Sequence, residues 1–324
     1  MTLPLLAALA VFAYLVGRVA ATRLGEASWI TRAPATAMRV WMALAVSNLV
    51  TVVMMLVLVS HDVFEQLLIR AFRADKTELH LAYAGADAVD PAWNGAAILA
   101  GLVLIGTCCL TAFEWLRRAR SRRWLRSTLL STSRVSVNQH EVVVLPSPDL
   151  EAFCVPQYGG GRVFVSHALI EQLTGPQLAA AVEHEVAHLA RKHHVWLLIA
   201  DVLGRVLSPL RLCVSLPQAM RVLVELDADD RASRRAGIRP LAQALLQVAN
   251  SRSASGTQFG GRLALGLGDE QPGQRIQRLV EELSSDSRGS TWVGRCLDVV
   301  VPLLVAAPVV SAVLPGIALW GSAS

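Results

Sequence analysis

Charged side chains are scarce in this sequence. Only 17% of its 324 residues are Asp, Glu, Lys or Arg, whereas 53% are hydrophobic, and the mean hydropathy is +0.46. An ordinary soluble domain carries about a quarter charged residues. The composition therefore argues against an ordinary soluble protein and favours a membrane protein.

Cysteine is scarce as well. Five cysteines are too few and too scattered for a disulfide framework. Cys108 and Cys109 lie inside an apolar run, and Cys296 borders another. We expect these three side chains to be small buried hydrophobic groups.

Signals for phosphate or nucleic-acid binding are also missing. The glycine run 159–161 lacks the Lys-Ser/Thr that follows in a phosphate-binding loop, so it predicts a hairpin turn. The net charge of +5 comes from arginines that cluster beside apolar runs, a placement that fits membrane orientation better than nucleic-acid binding. We therefore predict no nucleic-acid partner.

Long apolar runs are present instead. A helix needs roughly 20 residues to cross the hydrocarbon core of a bilayer, and four runs approach or exceed that length. The predicted transmembrane helices cover residues 3–20, 40–60, 96–113 and 299–320. A cleaved signal peptide is the alternative for the first run, but its basic residue lies at the wrong end and no A-x-A site follows.

The arginines predict the orientation. Three arginines and one acid separate the first two runs, six arginines and no acid follow the third, and the loop 60–95 is acidic on balance. The positive-inside rule then places both termini outside and the region between the third and fourth runs in the cytoplasm. The predicted parts are an N-terminal membrane region, a cytoplasmic domain and a C-terminal transmembrane helix, covering residues 1–116, 117–296 and 297–324.

The cytoplasmic region begins with signals for a small sheet. The stretch "EVVVLPSPD" predicts a strand that ends in a turn, and "AFCVP" and "GRVFVS" flank the glycine-rich hairpin loop. Thr174 and Gln177 have capping-box spacing with Pro176 in the first turn, which predicts the start of a helix. The predicted fold is a mainly α membrane protein with four transmembrane helices and a cytoplasmic α+β domain.

That helix carries an HExxH motif. His184 and His188 are four residues apart, so both imidazoles lie on one face and can reach a single metal ion. Glu185 lies beside that face, where its carboxylate can take a proton from a zinc-bound water and pass it to the leaving amine. The motif predicts one catalytic Zn²⁺ ion, with Glu185 as the base.

A catalytic zinc needs a third protein ligand and an open fourth position. Glu225, in "ELDADDRAS", is the stronger candidate, and Asp229 could accept the N–H of a ligand histidine. The alternative is His194, but the spacing that would use it requires a glycine at position 191, where this chain has Arg191.

Neighbouring residues are expected to have no role in the site. The helix is predicted to continue through "LARKHH", so that His193 and His194 belong to a solvated or interfacial helix end. Asp227 and Asp230 are expected to point away from the metal.

The segment 195–216 is apolar enough to pass for a further span. A single crossing would carry Glu225 to the opposite side of the membrane from His184, and two crossings need about 40 residues. A stripe of polar residues along it predicts instead a helix at the membrane surface or against the other spans, broken by Pro209.

The order of these motifs between Glu141 and Leu283 resembles the integral-membrane gluzincins, which include the HtpX and CAAX-protease group and the BlaR/MecR antirepressor group. The resemblance implies a zincin-like protease domain in which His184, His188 and Glu225 bind zinc, Glu185 is the base and Asp229 supports a ligand histidine. It also implies that an extended substrate peptide pairs with an edge strand near "GRVFVS". The four-span layout is that of the BlaR/MecR group, but the chain carries no penicillin-binding sensor.

The sequence therefore predicts a multi-pass cell-membrane zinc endopeptidase that cleaves membrane or cytosolic regulatory proteins on the cytoplasmic side. Two alternatives remain: a signalling protease that cleaves a transcriptional repressor, and a non-catalytic zinc-bound membrane scaffold. Glu185 argues against the scaffold, since a structural zinc site needs no base.

Overall fold

A computed structural model describes most of the chain. The described residues are 2–27, 29–59, 95, 98–103, 105–113, 115–116, 133–157, 160–255, 265–266, 272–284 and 306. The predicted fourth span apart from residue 306, the outer loop 60–94 and the arginine-rich segment 117–126 lie outside these residues.

The N-terminal part is helical. Its elements are α1 (Thr2–Tyr14), a π-helical segment (Leu15–Ala20), α2 (Ala21–Glu26), α3 (Trp29–Arg32) and α4 (Pro34–Val59). Two stretches, Leu6–Gly25 and Pro34–Leu56, are long and apolar enough to cross a membrane. Buried core helices and N-terminal signal sequences meet the same criteria, so these two helices alone are weak evidence for membrane association.

The predicted third span is a shorter apolar helix, Ile98–Phe113. Cys108 and Cys109 are exposed on it, so the expectation that they are buried is wrong. The count of four spans is not established, and the structure supports the coarser description of a mostly helical protein with a small mixed sheet.

The sheet has five strands in the order β1-β2-β4-β3-β5. Its strands are β1 (Arg134–Val137), β2 (His140–Leu145), β3 (Ala152–Gln157), β4 (Gly160–Ser166) and β5 (Leu265–Gly266). The predicted hairpin is present as β3 and β4, which pair antiparallel. Since β4 also pairs with β2 on its other side, it is an interior strand, so the edge strand expected near "GRVFVS" is not β4 itself.

Six helices follow the strand β4 in the described residues. They are α5 (His167–Gln172), α6 (Gly175–Ala190), α7 (His193–Val206), α8 (Arg211–Ala236), α9 (Ile238–Ser255) and α10 (Pro272–Ser284). The predicted cap of α6 is present, because the Thr174 backbone N–H donates to Gln177 Oε1 at 2.9 Å. Alanines and Val182 of α6 pack with the sheet and with α9 in one apolar core.

The helices α7 and α8 form an antiparallel hairpin. The chain breaks at residues 207–210, as the proline there predicts. Asp201 pairs with Arg221 at 3.1 Å, and a Cβ at Gly204 would lie only 2.7 Å from Pro217. The hairpin packs against α4 and the π-helical segment in a second apolar core, which brings the distant end of α8 back to α6.

Candidate metal centre

His184, His188 and Glu225 meet between α6 and α8. The two Nε2 atoms of the histidines are 3.1 Å apart. Glu225 Oε2 lies 3.4 Å from His184 Nε2, and Glu225 Oε1 lies 3.5 Å from His188 Nε2. All three side chains are buried. Their ligand atoms lie close enough together to hold one metal ion, and the described residues contain no other such group of histidine, cysteine and acidic side chains.

The spacing of these atoms fits one small cation. Zinc bonds of about 2.0–2.1 Å in a tetrahedron place neighbouring ligand atoms about 3.3 Å apart, close to the three separations found here. Two imidazoles and one carboxylate are also a donor set that catalytic zinc sites use, with one position left for water or substrate. The residues present therefore fit a metal ion.

Glu185 is buried beside this group. Neither of its carboxylate oxygens accepts a hydrogen bond from an N–H or O–H group of the described residues. Burial raises the pKa of Glu185 to about 8, although the neighbouring His184 opposes the rise. The thiol of Cys154, on β3, is one of its neighbours. Burying a carboxylate without such a donor costs folding free energy. Its presence here therefore points to a role in the site.

Asp229 lies beside the first histidine, with its Oδ1 atom 3.0 Å from His184 Nδ1. The guanidinium of Arg275, on α10, donates to both oxygens of Asp229, at 2.7 and 2.6 Å. Its Nη1 also lies 3.0 Å from Glu225 Oε2. We call the series His184, Asp229 and Arg275 the first arm of the site.

Arg275 was not predicted from the sequence. It lies 46 residues beyond Asp229, in a helix that shows no motif spacing to the acidic run. Its side chain is only 4% exposed, and this one buried cation contacts two buried carboxylates. Burial alone would raise the pKa of Glu225, but Arg275 and the histidines hold it at about 2.

The second histidine has a different set of neighbours. His188 Nδ1 lies 2.9 Å from His193 Nδ1, and His193 Nε2 lies 3.0 Å from Asp227 Oδ2. Arg191 donates to both oxygens of Asp227, each at 2.9 Å. We call the series His188, His193, Asp227 and Arg191 the second arm. His193 is buried, so the prediction of a solvated helix end is wrong for it; Asp227 is buried as well and contacts His193.

The reason lies in the backbone. The predicted continuous helix ends at Ala190, because Lys192 adopts a left-handed conformation with φ of +53°. A new helix, α7, starts at His193 in another direction and turns that imidazole back onto His188. Helices often end with a left-handed residue, but glycine or asparagine is the usual signal, and lysine gives none.

The remaining candidates lie outside the converging group. His194 does not contribute to the three ligand atoms that meet at the site. Asp230 pairs with Arg278 of α10.

The two histidines differ in their proton affinity. Burial alone would lower the pKa of His184, but Asp229 and Glu225 raise it to about 9. Burial lowers the pKa of His188 well below its usual value, against the opposing charge of Glu225. Without a metal ion the group therefore holds a proton on His184 near neutral pH.

Two histidines one turn apart and a glutamate from a later helix are the ligand pattern of gluzincin metallopeptidases. Residues 117–264, somewhat less than half of the chain, match the sequence model of peptidase family M48. The match supports a membrane-associated metallopeptidase family of the gluzincin type and does not distinguish the HtpX group from the BlaR/MecR group. No curated protein matches the chain.

Proposed function

We propose that this protein is a membrane-embedded zinc metalloendopeptidase that cleaves membrane or cytosolic regulatory proteins. In this proposal His184, His188 and Glu225 hold one zinc ion, Glu185 is the general base, and Asp229 orients His184. The match to a metallopeptidase family supports the class of reaction. The converging ligand atoms support the metal.

The observation that carries the proposal is the buried carboxylate of Glu185, which accepts no hydrogen bond from a described N–H or O–H group, beside three converging ligand atoms. A site that served only to stabilise the fold would need no such group and would usually fill its fourth position with Cys or His. The buried carboxylate therefore favours an enzyme over a zinc-bound scaffold.

Zinc would supply a polarised scissile carbonyl and a water molecule that loses its proton near neutral pH. Glu185 would take that proton and deliver it to the leaving amine. A pKa near the working pH suits both steps, and burial brings the pKa of Glu185 toward this range. Glu225, with its pKa held at about 2, stays ionised and available as a ligand.

An extended substrate would pair with the outer edge of β3. That strand contributes Cys154, the neighbour of Glu185. On this side of β3, the two-residue strand β5 pairs with Phe153 and Cys154. Backbone hydrogen bonds to such an edge bind peptides in extended form.

The α7–α8 hairpin supports a site close to the membrane. It packs on the two helices that are apolar enough to cross a bilayer, and its two ends return to the metal centre. This geometry removes the need for a single crossing between His188 and Glu225. We propose that the site faces the cytoplasm and that both termini lie outside.

The test is the pair of variants Glu185→Gln and Glu225→Ala in the purified full-length protein. Glu185→Gln should keep about one zinc per chain and lose cleavage of an unfolded test protein by about 10²–10⁴-fold. Glu225→Ala should lose the metal. Glu183→Gln is the matched control, since Glu183 is buried on the same helix but bonds to Asn138 and His140.

Cleavage by Glu185→Gln at the rate of the parent protein would contradict the proposed base. The same inactive variant can trap a bound substrate, which mass spectrometry would then identify.

A further inference from the structure

We infer that His193 and Asp227 are positioning residues, which fix the tautomer and ring orientation of His188 for metal binding. The inference rests on the proposed metal site. It assigns a role to two buried side chains that do not touch the ion and that the proposed chemistry does not use.

The hydrogen positions follow from the ligand atom. If His188 binds through Nε2, its Nδ1 carries the hydrogen and must donate it. The neighbour of that atom is His193 Nδ1, at 2.9 Å, which therefore has to accept. The hydrogen of His193 then lies on Nε2 and is donated to Asp227 Oδ2 at 3.0 Å. One choice of ligand atom thus determines both tautomers.

Arg191 completes this arrangement. Its two hydrogen bonds use both oxygens of Asp227, so the carboxylate is held in one plane with an oxygen directed at His193. Arg191 and His193 also hold the pKa of Asp227 well below its usual value, although burial opposes them.

The geometry excludes two simpler roles for His193. It is not a third histidine ligand, because it contacts His188 through Nδ1, on the side of that ring opposite the converging Nε2 atoms. It is not apolar filling either, since both of its ring nitrogens have polar partners in a fully buried position.

The test compares zinc affinity of His193→Phe, His193→Gln and Asp227→Asn with that of the parent protein, by competition with a chromophoric chelator. His193→Phe keeps the ring shape and loses both hydrogen bonds, so it should weaken zinc binding about 10–100-fold. His193→Gln offers an acceptor and a donor and should recover part of that loss. Asp227→Asn keeps an acceptor oxygen and should have an intermediate effect.

Asp230→Asn is the matched control on the same helix, since Asp230 pairs with Arg278 and lies outside the second arm. Its zinc affinity should equal that of the parent. Cobalt-substituted protein adds a readout that a purely structural role would not change: the visible absorption of the Co²⁺ site should shift in His193→Phe and not in Asp230→Asn. Circular dichroism of the metal-free variants checks that each one folds.

Zinc affinity of both His193→Phe and Asp227→Asn within twofold of the parent would overturn the inference. An equal loss in Asp230→Asn would also overturn it, since the effect would then be general to the helix. A parent protein that binds no zinc would instead overturn the proposed function, which separates the two failures.

Discussion

The two arms of the metal centre place an acid behind each histidine, but they do so in different ways. His184 meets Asp229 directly, whereas His188 reaches Asp227 only through a second imidazole. Each acid is held by an arginine through two hydrogen bonds. Arg275 is buried in the first arm, while the side chain of Arg191 in the second arm is 43% exposed.

This difference separates two tasks. The buried cation of the first arm, Arg275, contacts Asp229 and also Glu225, so this arm contributes to the stability of the site as well as to its geometry. The second arm ends at the partly exposed Arg191, where solvent screens the charges. We therefore expect damage to the first arm to affect folding and metal binding together, and damage to the second arm to affect mainly metal binding.

The largest contrast should come from the two arginines. Arg275→Leu leaves the two buried carboxylates of Asp229 and Glu225 with only the protonated His184 to compensate them, which should lower the free energy of unfolding of the metal-free protein by about 3–5 kcal/mol. Arg191→Leu removes a half-exposed partner and should cost about 1 kcal/mol or less. Chemical denaturation measures both, and equal losses would remove the distinction between the arms.

The pH dependence of zinc binding should follow the first arm. His184, with its pKa raised to about 9, must release a proton to bind metal, so affinity should rise about tenfold per pH unit from pH 7 to 9. His188, with a lowered pKa, adds no such slope there. Calorimetry in buffers of different ionisation enthalpy should show about one proton released at pH 7.

The measurement is best made with Glu185→Gln, which removes the carboxyl group that titrates near pH 8. The stability of the metal-free protein should change with pH in the opposite direction to zinc affinity. Because the folded-state pKa of His184 is raised above its unfolded value, its contribution to the stability of the metal-free protein is complete below about pH 6.5 and is lost toward pH 9. A flat binding profile would show that His184 is already neutral.

Removing the acid of the first arm should weaken the metal site. In Asp229→Asn the neutral amide replaces the charged acceptor beside His184 Nδ1, and zinc affinity should fall about 10–100-fold. Asp227→Asn acts only through His193, so it should lose less zinc affinity than Asp229→Asn. A larger loss in Asp227→Asn would mean that the longer arm dominates the site.

Substitutions of Lys192, at the turn between α6 and α7, should have the smallest effect. A β-branched residue is strained at φ of +53°, so Lys192→Val should destabilise the protein by about 1–2 kcal/mol and weaken zinc binding through the second arm. Lys192→Gly suits this conformation and should bind zinc as the parent does. Thermal unfolding and chelator competition report the two quantities, and equal behaviour of Val and Gly would show that the turn does not position His193.

Local signals predicted much of the fold of residues 133–255. The capping box at Thr174 marks the start of α6, the proline at 209 marks the break between α7 and α8, and the glycine-rich loop marks the β3–β4 hairpin. Each of these depends on residues within a few positions of one another, where backbone preferences decide. The pairing of β4 with β2 depends on strands that are not adjacent in sequence, so no local signal predicted that β4 is an interior strand.

The sequence alone determined how His184, Glu185 and His188 are arranged. The helix repeat places the two histidines one turn apart on one face, with Glu185 beside them. Only the tertiary structure decided which side chains contact the two histidines and the acids beside them. Arg275 arrives from a helix 46 residues beyond Asp229, and a left-handed lysine returns His193 to His188. Such contacts arise from packing between distant segments, and no short-range pattern in the chain encodes them.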